Sequence, residues 1–109
     1  MSYKVISIPH FDREFKRLAK KHLSIKKDLA ALVTELTEDP TLGTMITENC
    51  YKIRMSITSK GKGKSGGARI ITYVIAPDET IFLLSIYDKS ERATISNNEL
   101  LDLIEGIGL

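Results

Sequence analysis

One stretch of this sequence has residue types that could hold phosphate, the segment SKGKGKSGGAR at residues 59–69. A phosphate-binding P-loop has the pattern G-x-x-x-x-G-K-[ST], follows a strand and opens a helix. Gly63, Lys64 and Ser65 supply the end of that pattern, but Thr58 stands where its first glycine should be. The residues after the segment are β-branched and aromatic, which predicts a strand and not a helix. The sequence therefore argues against a nucleotide site.

Positive charge is concentrated in the same part of the chain. The residues between Glu48 and Asp78 include no acid and six bases, namely Lys52, Arg54, Lys60, Lys62, Lys64 and Arg69. Because the whole chain has a formal net charge of only +2, the remainder is acidic. A concentrated positive field attracts polyanions and speeds their encounter. The lysines of the glycine-rich segment have no acidic partner nearby in sequence, so we expect them to point to solvent or to an anion.

Strands on either side must position these residues. Residues 50–58 alternate between apolar and polar, which puts Lys52 and Arg54 side by side on one face and the apolar residues on the other. A second strand is expected at 68–75, and a third, nearly all apolar, at 80–87 in the centre of the sheet. A one-residue shift in register would turn Arg69 away from the other two cations, and the sequence does not fix that register.

Helices are predicted before and after these strands. Apolar residues recur at helical spacing from Phe11 to His22, after a short strand at residues 3–8. A second helix is expected after Ser24 as N-cap, ending before Pro40. Ser96 and Glu99 fit a capping box that starts a last helix, which Gly106 ends; Asn97 and Asn98 stand between them.

The element order β-α-α-β-β-β-α predicts an α+β fold, with a helical hairpin and a C-terminal helix packed on one face of a mainly antiparallel four-stranded sheet. With 109 residues, 42% of them hydrophobic and 28% charged, the chain is expected to form a single globular domain over residues 1–109. The one cysteine, Cys50, is expected to be a small buried residue at a strand start. His10 and His22 are expected to be structural or exposed.

The sequence also limits location and cofactors. The N-terminal residues lack the apolar run of a signal peptide, and no segment approaches the roughly 20 apolar residues that cross a bilayer. We therefore expect a soluble cytoplasmic protein without a membrane partner. No His, Asp and Glu cluster has ligand spacing, so we expect no metal and no cofactor.

Three blocks of this chain resemble the RelE/ParE superfamily of toxins from two-gene toxin–antitoxin systems, in particular the HigB-like and RelE-like branch. The blocks are YKIR at 51–54, GKGKSGGARIITY at 61–73 and LLSIYDKSE at 83–91. The resemblance extends over nearly the whole chain and includes the order of elements. It implies a toxin that enters the ribosomal A site and cleaves mRNA, a cognate antitoxin protein that blocks it, and a complex that binds its own promoter DNA.

The resemblance implies site residues as well. It places basic side chains at Lys52, Arg54, Arg69 and Lys89, with Tyr87 as the nearest candidate for the aromatic residue that some members use. In a metal-independent endoribonuclease, Arg69 would clamp the scissile phosphate with Arg54, because guanidinium matches phosphate geometry. Lys52 would be the general base, since neighbouring cations favour its neutral form. Lys89 or Tyr87 would be the acid, or Tyr87 would stack on a base. The remaining candidates, Lys60, Lys62, Lys64 and Ser65, would bind RNA.

Two other functions remain open at this point. ParE members share the fold but inhibit DNA gyrase without nuclease residues, so the fold alone does not decide. A non-catalytic module that binds RNA or DNA would show steep salt dependence without strand cleavage.

Overall fold

The structure, a computed structural model, describes residues 2–108 as three helices around one five-stranded sheet. The elements in chain order are β1 (Lys4–Ser7), α1 (Pro9–Lys21), α2 (Ile25–Glu38), β2 (Thr44–Thr47), β3 (Cys50–Met55), β4 (Ala68–Ile75), β5 (Thr80–Asp88) and α3 (Asn97–Glu105). The strand order is β1-β5-β4-β3-β2, with β1 parallel to β5 and the other neighbours antiparallel. In the described residues no helix has the length and apolar character to span a membrane.

The predicted α+β class is confirmed. β4 has the predicted bounds, and β5 lies between two strands with both faces buried, as its apolar sequence indicated. The last helix starts where the capping box predicted, because the Ser96 hydroxyl accepts a hydrogen bond from the backbone N–H of Glu99. Gly106 follows its last residue.

The predicted strand count was wrong by one, because β2 is a short edge strand that the sequence patterns did not predict. Its four residues, Thr44–Thr47, are all exposed, so they show no burial pattern. Asn49 adopts a left-handed conformation with a φ of 64° in the turn to β3. Asparagine tolerates that conformation better than most residues do, and this turn chemistry was the available signal.

The third helix also packs differently from the prediction that all helices lie on one face. α1 and α2 cover one face through residues such as Phe11, Leu18 and Leu36. On the opposite face, Leu100 of α3 and the preceding Ile95 pack with Cys50, Ile71 and Leu84. Cys50 is fully buried, as expected. The sheet therefore has an apolar core on both faces, because buried side chains point to both sides along its central strands.

Candidate nucleic-acid interface

Three candidate residues form a row across the sheet. Arg54 of β3 lies opposite Arg69 of β4, and Arg69 lies opposite Tyr87 of β5. Their chain neighbours Ile53, Ile70 and Ile86 belong to the core under α1 and α2. Because side chains alternate along a strand, the row points to the other face. The register thus puts Arg69 on the same face as Arg54 and Lys52, which the sequence left undecided.

A β-bulge aims Tyr87 at this row. The partners of Ile71 and Thr72 are Ser85 and Leu83, so β5 has one extra residue at this point, Leu84. Leu83 and Ile86 both belong to the core under α1 and α2, whereas Leu84 and Tyr87 belong to the core on the other face. Without the bulge, strict alternation from Leu83 would turn Tyr87 towards the helices.

Glu14 of α1 holds the bulged segment. Its carboxylate accepts hydrogen bonds from the Ser85 hydroxyl at 2.7 Å and from the backbone N–H of Ile86 at 3.1 Å. His10 Nε2 lies 3.1 Å from the same carboxylate. A carboxylate that accepts a backbone N–H satisfies a donor for which the bulged ladder has no regular partner. His10 therefore has a structural contact, as expected, far along the chain from the cationic residues.

Arg69 is buried, with 6% of its surface exposed. Its Nη1 donates to the backbone carbonyls of Lys64 at 2.9 Å and Ala68 at 3.1 Å. No protein acceptor for the other guanidinium nitrogens occurs among the hydrogen bonds of residues 2–108. A guanidinium has five N–H donors, so this arrangement leaves donors for an anion while fixing the plane of the group.

Tyr87 lies beneath the segment that leads into α3. Only 2% of its surface is exposed, and the Arg92 guanidinium carbon is 5.6 Å from the centre of its ring. Burial raises the pKa of Tyr87, against smaller opposing effects of Thr94, Arg69 and Arg92. The hydroxyl is buried without a well-formed hydrogen bond. Tyr87 is therefore a neutral phenol at physiological pH, with a proton available to donate.

The covering segment, residues 92–96, makes several contacts over the row. Lys52 Nζ donates to the Thr94 hydroxyl at 3.3 Å. Arg92 Nε donates to the Thr94 carbonyl at 2.9 Å, and its Nη2 pairs with Glu99 of α3. These contacts hold Lys52 and Tyr87 under one short cover.

The glycine-rich arm, defined as residues 59–67, joins a turn after β3 to the start of β4. Lys62, Lys64 and Ser65 are exposed, as the RNA-binding prediction requires. Gly61 and Gly63 have φ values of 69° and 64°, the left-handed region that glycine adopts without strain. Lys89 is exposed just after β5, and its backbone N–H donates to the Gly67 carbonyl at 3.0 Å.

Lys60 was expected, with the other arm lysines, to point to solvent or to an anion, but it pairs with a carboxylate of the protein itself. Its ammonium pairs with Asp88 at 2.9 Å and 3.2 Å, and its side chain is only 15% exposed. Burial alone would raise the pKa of Asp88, but hydrogen bonds from Ser90 and Lys60 lower it to about 2. Asp88 lies beyond the stretch between Glu48 and Asp78 that contains no acidic residue. The pairing of β4 with β5 brings it to the arm. His22 Nε2, 3.3 Å from the same carboxylate, has a structural position.

A second carboxylate, Asp28 of α2, fixes the start of the arm. It accepts hydrogen bonds from the backbone N–H of Thr58 at 3.0 Å and from its hydroxyl at 2.6 Å. Ser24 is the N-cap residue of α2, as predicted, but its hydroxyl donates to the Asp28 carboxylate at 2.8 Å and accepts from the backbone N–H of Ser59 at 2.8 Å. The predicted strand 50–58 ends early at Met55, and Thr58–Lys60 form a 3₁₀ turn that these bonds hold.

The described residues offer no ready metal centre. Within residues 2–108, no three His, Cys, Asp or Glu side chains converge as metal ligands would. Cys50, the only cysteine, is buried, and burial raises the pKa of its thiol to about 11. It is therefore a neutral thiol in the core and not a nucleophile.

A family model for the RelE toxin of the RelE/RelB toxin–antitoxin system matches residues 10–105. The chain belongs to the RelE toxin family. The matched region contains every candidate residue of the row and the arm. The resemblance inferred from the sequence blocks is therefore confirmed.

Solved structures of Escherichia coli RelE have the same fold. The isolated toxin has a TM-score of 0.62 and 19% identity, covering 97% of this chain and 99% of that one. A double arginine-to-alanine mutant in the free state has a TM-score of 0.62 and 18% identity, covering 98% and 99%. The same mutant in complex with a peptide of the antitoxin RelB has a TM-score of 0.58 and 23% identity, covering 84% and 90%.

Proposed function

We propose that this RelE-family protein is a ribosome-dependent, metal-independent mRNA endonuclease that inhibits translation. One observation carries the proposal, namely the row of Arg54, Arg69 and Tyr87 on a single sheet face with Lys52 beside it. Three cations and a neutral phenol can supply the needs of RNA cleavage, which are charge stabilisation, a base and an acid.

In the proposed reaction, the 2′-hydroxyl of one nucleotide attacks the adjacent phosphorus. Lys52, in its neutral form, accepts the hydroxyl proton. The bond between phosphorus and the 5′-oxygen breaks, and the departing oxygen takes a proton from Tyr87 or Lys89. The products are a 2′,3′-cyclic phosphate and a 5′-hydroxyl. Arg69 and Arg54 stabilise the charge that develops on the phosphate oxygens, and the carbonyls of Lys64 and Ala68 already orient the guanidinium of Arg69.

The cover over the row adds a requirement. Because Tyr87 is 2% exposed beneath residues 92–96, that segment must move before the hydroxyl can reach RNA. In the closed arrangement the hydroxyl interacts with Thr94 but makes no well-formed hydrogen bond, so opening allows it to gain a full partner. Buried hydroxyls without partners cost roughly 1–3 kcal/mol, so opening recovers part of its own cost.

Lys62, Lys64 and Ser65 would bind the mRNA backbone beside the row, and Lys60 would support the arm from within. We also propose a cognate antitoxin as protein partner, because a relative with this fold is known in complex with an antitoxin peptide. Binding of the toxin–antitoxin complex to promoter DNA and a location in the cytoplasm, where mRNA is translated, belong to the same proposal.

The test compares induced expression of the wild-type protein with that of Arg69→Ala, while mRNA 5′ ends are mapped and growth is followed. A Lys4→Ala variant is the matched control, because Lys4 is an exposed cation on the opposite edge of the sheet. We expect growth arrest with new cuts in translated regions for wild type and control, and neither for Arg69→Ala. Growth arrest without mRNA cuts would reject the proposal in favour of a protein target such as gyrase.

A further inference from the structure

The glycine-rich arm has a fixed base and a free tip. At its start, Asp28 and Ser24 hold Thr58 and Ser59 through five hydrogen bonds of 2.6–3.4 Å. At its end, the Gly67 carbonyl accepts from the backbone of Lys89. Residues 61–65 between these points are exposed. The position of the tip therefore depends on what holds residue 60.

Lys60 is held by a buried ion pair with the end of β5. Asp88, at 4% side-chain exposure, binds its ammonium with both carboxylate oxygens, and the Ser90 hydroxyl lies 3.3 Å from the same ammonium. Ser90 also donates its backbone N–H and its hydroxyl to Asp88, at 2.9 Å and 2.7 Å. A buried pair is rigid when its remaining donors and acceptors are satisfied in this way.

This ion pair is connected to the candidate phosphate clamp. Lys64, four residues after Lys60, provides the carbonyl that fixes Arg69 Nη1 at 2.9 Å. The Lys64 carbonyl also accepts from the backbone of Gly67 at 3.3 Å. A displacement of the arm at Lys60 would move this carbonyl, and with it the plane of the guanidinium.

We infer that Asp88 and Lys60 are positioning residues, whose ion pair holds the glycine-rich arm so that Arg69 meets the scissile phosphate while Lys62 and Lys64 bind the adjoining RNA backbone. This inference rests on the proposed nuclease function. Neither residue touches RNA in this account. Their effect is on geometry, and a misplacement of about 1 Å at a reacting group costs on the order of 100-fold in rate.

The experiment uses Lys60→Met, Asp88→Asn and the double variant, with Lys4→Met as the matched control. Asparagine retains an acceptor for the backbone N–H of Ser90 while it removes the charge. Each single variant leaves one buried group unpaired, whereas the double variant removes both charges, so its stability should recover towards wild type. Three quantities are measured, namely the urea midpoint, amide hydrogen exchange in residues 61–67, and single-turnover cleavage of ribosome-bound mRNA.

A positioning role predicts that the double variant recovers its urea midpoint while arm exchange stays fast and the maximal cleavage rate stays about 10- to 100-fold low. The half-saturating protein concentration should change less than the maximal rate. A purely stabilising role predicts that cleavage recovers together with the midpoint, and that result would overturn the inference. Unchanged arm exchange in both single variants would overturn it too.

The two proposals can fail separately. If wild type and Lys4→Met cleave, Arg69→Ala does not, and the Lys60 and Asp88 variants cleave normally, the positioning inference fails and the nuclease function stands. If wild type cleaves no mRNA on the ribosome, the nuclease proposal fails. The positioning role depends on that function, so it fails as well, whatever the exchange rates show.

Discussion

Neighbouring residues on β3, β4 and β5 point to opposite faces of the sheet, and the two faces have different side chains. On the face under α1 and α2, Ile53, Ile70 and Ile86 form a row at 3%, 0% and 0% exposure. One residue along each strand, Arg54, Arg69 and Tyr87 form the parallel row on the other face. Because a one-residue shift would turn the apolar row out of the core, burial of that row also fixes the register of the polar row.

The face that carries the row of Arg54, Arg69 and Tyr87 has two parts with different cover. At one end, α3 and Ile95 seal an apolar patch around Cys50, Ile71 and Leu84. At the other end, residues 92–96 cover the row mainly through polar and cation–π contacts, with Ile95 as the apolar residue that packs in the same cluster as Tyr87. Polar cover is easier to open than an apolar core, so we expect the substrate at this end.

The largest expected effect is on the apolar row. Ile70→Ala removes a fully buried side chain and should lower the free energy of unfolding by about 2–5 kcal/mol, since the cavity adds to the lost burial. The folded fraction should cleave mRNA normally, because the change faces away from Arg69. Urea unfolding and cleavage per folded molecule measure the two effects. A loss of cleavage per folded molecule in this variant would show that the two faces do not have separate roles.

Tyr87→Phe should separate activity from stability. Loss of a general acid should lower the maximal cleavage rate by about 100-fold. Because the Tyr87 hydroxyl is buried without a well-formed hydrogen bond, its removal should leave the free energy of unfolding unchanged or raise it by up to about 1 kcal/mol. Single-turnover cleavage and urea unfolding test the pair of effects. Full activity would remove Tyr87 from the mechanism and leave Lys89 as the acid.

Acid should weaken the fold through Asp88. The folded state lowers the pKa of Asp88 from 3.8 to about 2, so the stabilisation is complete above pH 4 and is lost as pH falls from 4 towards 2. The contribution is roughly 2 kcal/mol. Urea unfolding at several pH values should show this dependence, and Asp88→Asn should flatten it. An equally steep dependence in the variant would assign the effect to other carboxyls.

Glu14→Ala should disturb the polar row from the apolar side. It removes the acceptor of Ser85 and of the Ile86 backbone, so the bulge that aims Tyr87 loses its support. We expect faster amide exchange at Ile86 and a cleavage rate lowered by about tenfold, with binding to the ribosome preserved. Glu35→Ala, at an exposed acid of α2, is the control. Unchanged exchange at Ile86 would show that the bulge holds without Glu14.

The smallest expected effect concerns the tip of the arm. Lys62→Ala and Lys64→Ala should each reduce the slope of log affinity for RNA against log salt concentration by about 0.7, with stability within about 0.5 kcal/mol of wild type. Binding to a single-stranded RNA at several salt concentrations measures the slope. An unchanged slope in both variants would remove the tip from the RNA contact.

Local sequence patterns predicted well which side chains of β3 lie in the core and where α3 begins. Period-two alternation in β3 placed Ile53 and Met55 in the core and Lys52 and Arg54 opposite, and the capping box located α3. These signals are local, because each depends on residues a few positions apart.

The arrangement of the polar residues depends on contacts between residues that are distant in the chain, so it could not be predicted from local patterns. Lys60 was expected in solvent because its partner Asp88 is 28 residues away. The face of Tyr87 depends on one extra residue at Leu84, and a bulge has no reliable mark in an all-apolar strand. The position of α3 on the second face followed from buried residues that the sequence could not assign to one side.

The central claim is that the Arg54–Arg69–Tyr87 row cleaves RNA through its 2′-hydroxyl. The most direct measurement is single-turnover cleavage of ribosome-bound mRNA that carries either ribose or 2′-deoxyribose at the nucleotide before the cut, by wild type and Arg69→Ala. The account predicts cleavage of the ribose substrate only, with a cyclic phosphate product, and a rate about 100- to 1,000-fold lower for Arg69→Ala. Cleavage of the deoxyribose substrate, or equal rates for the two proteins, would contradict it.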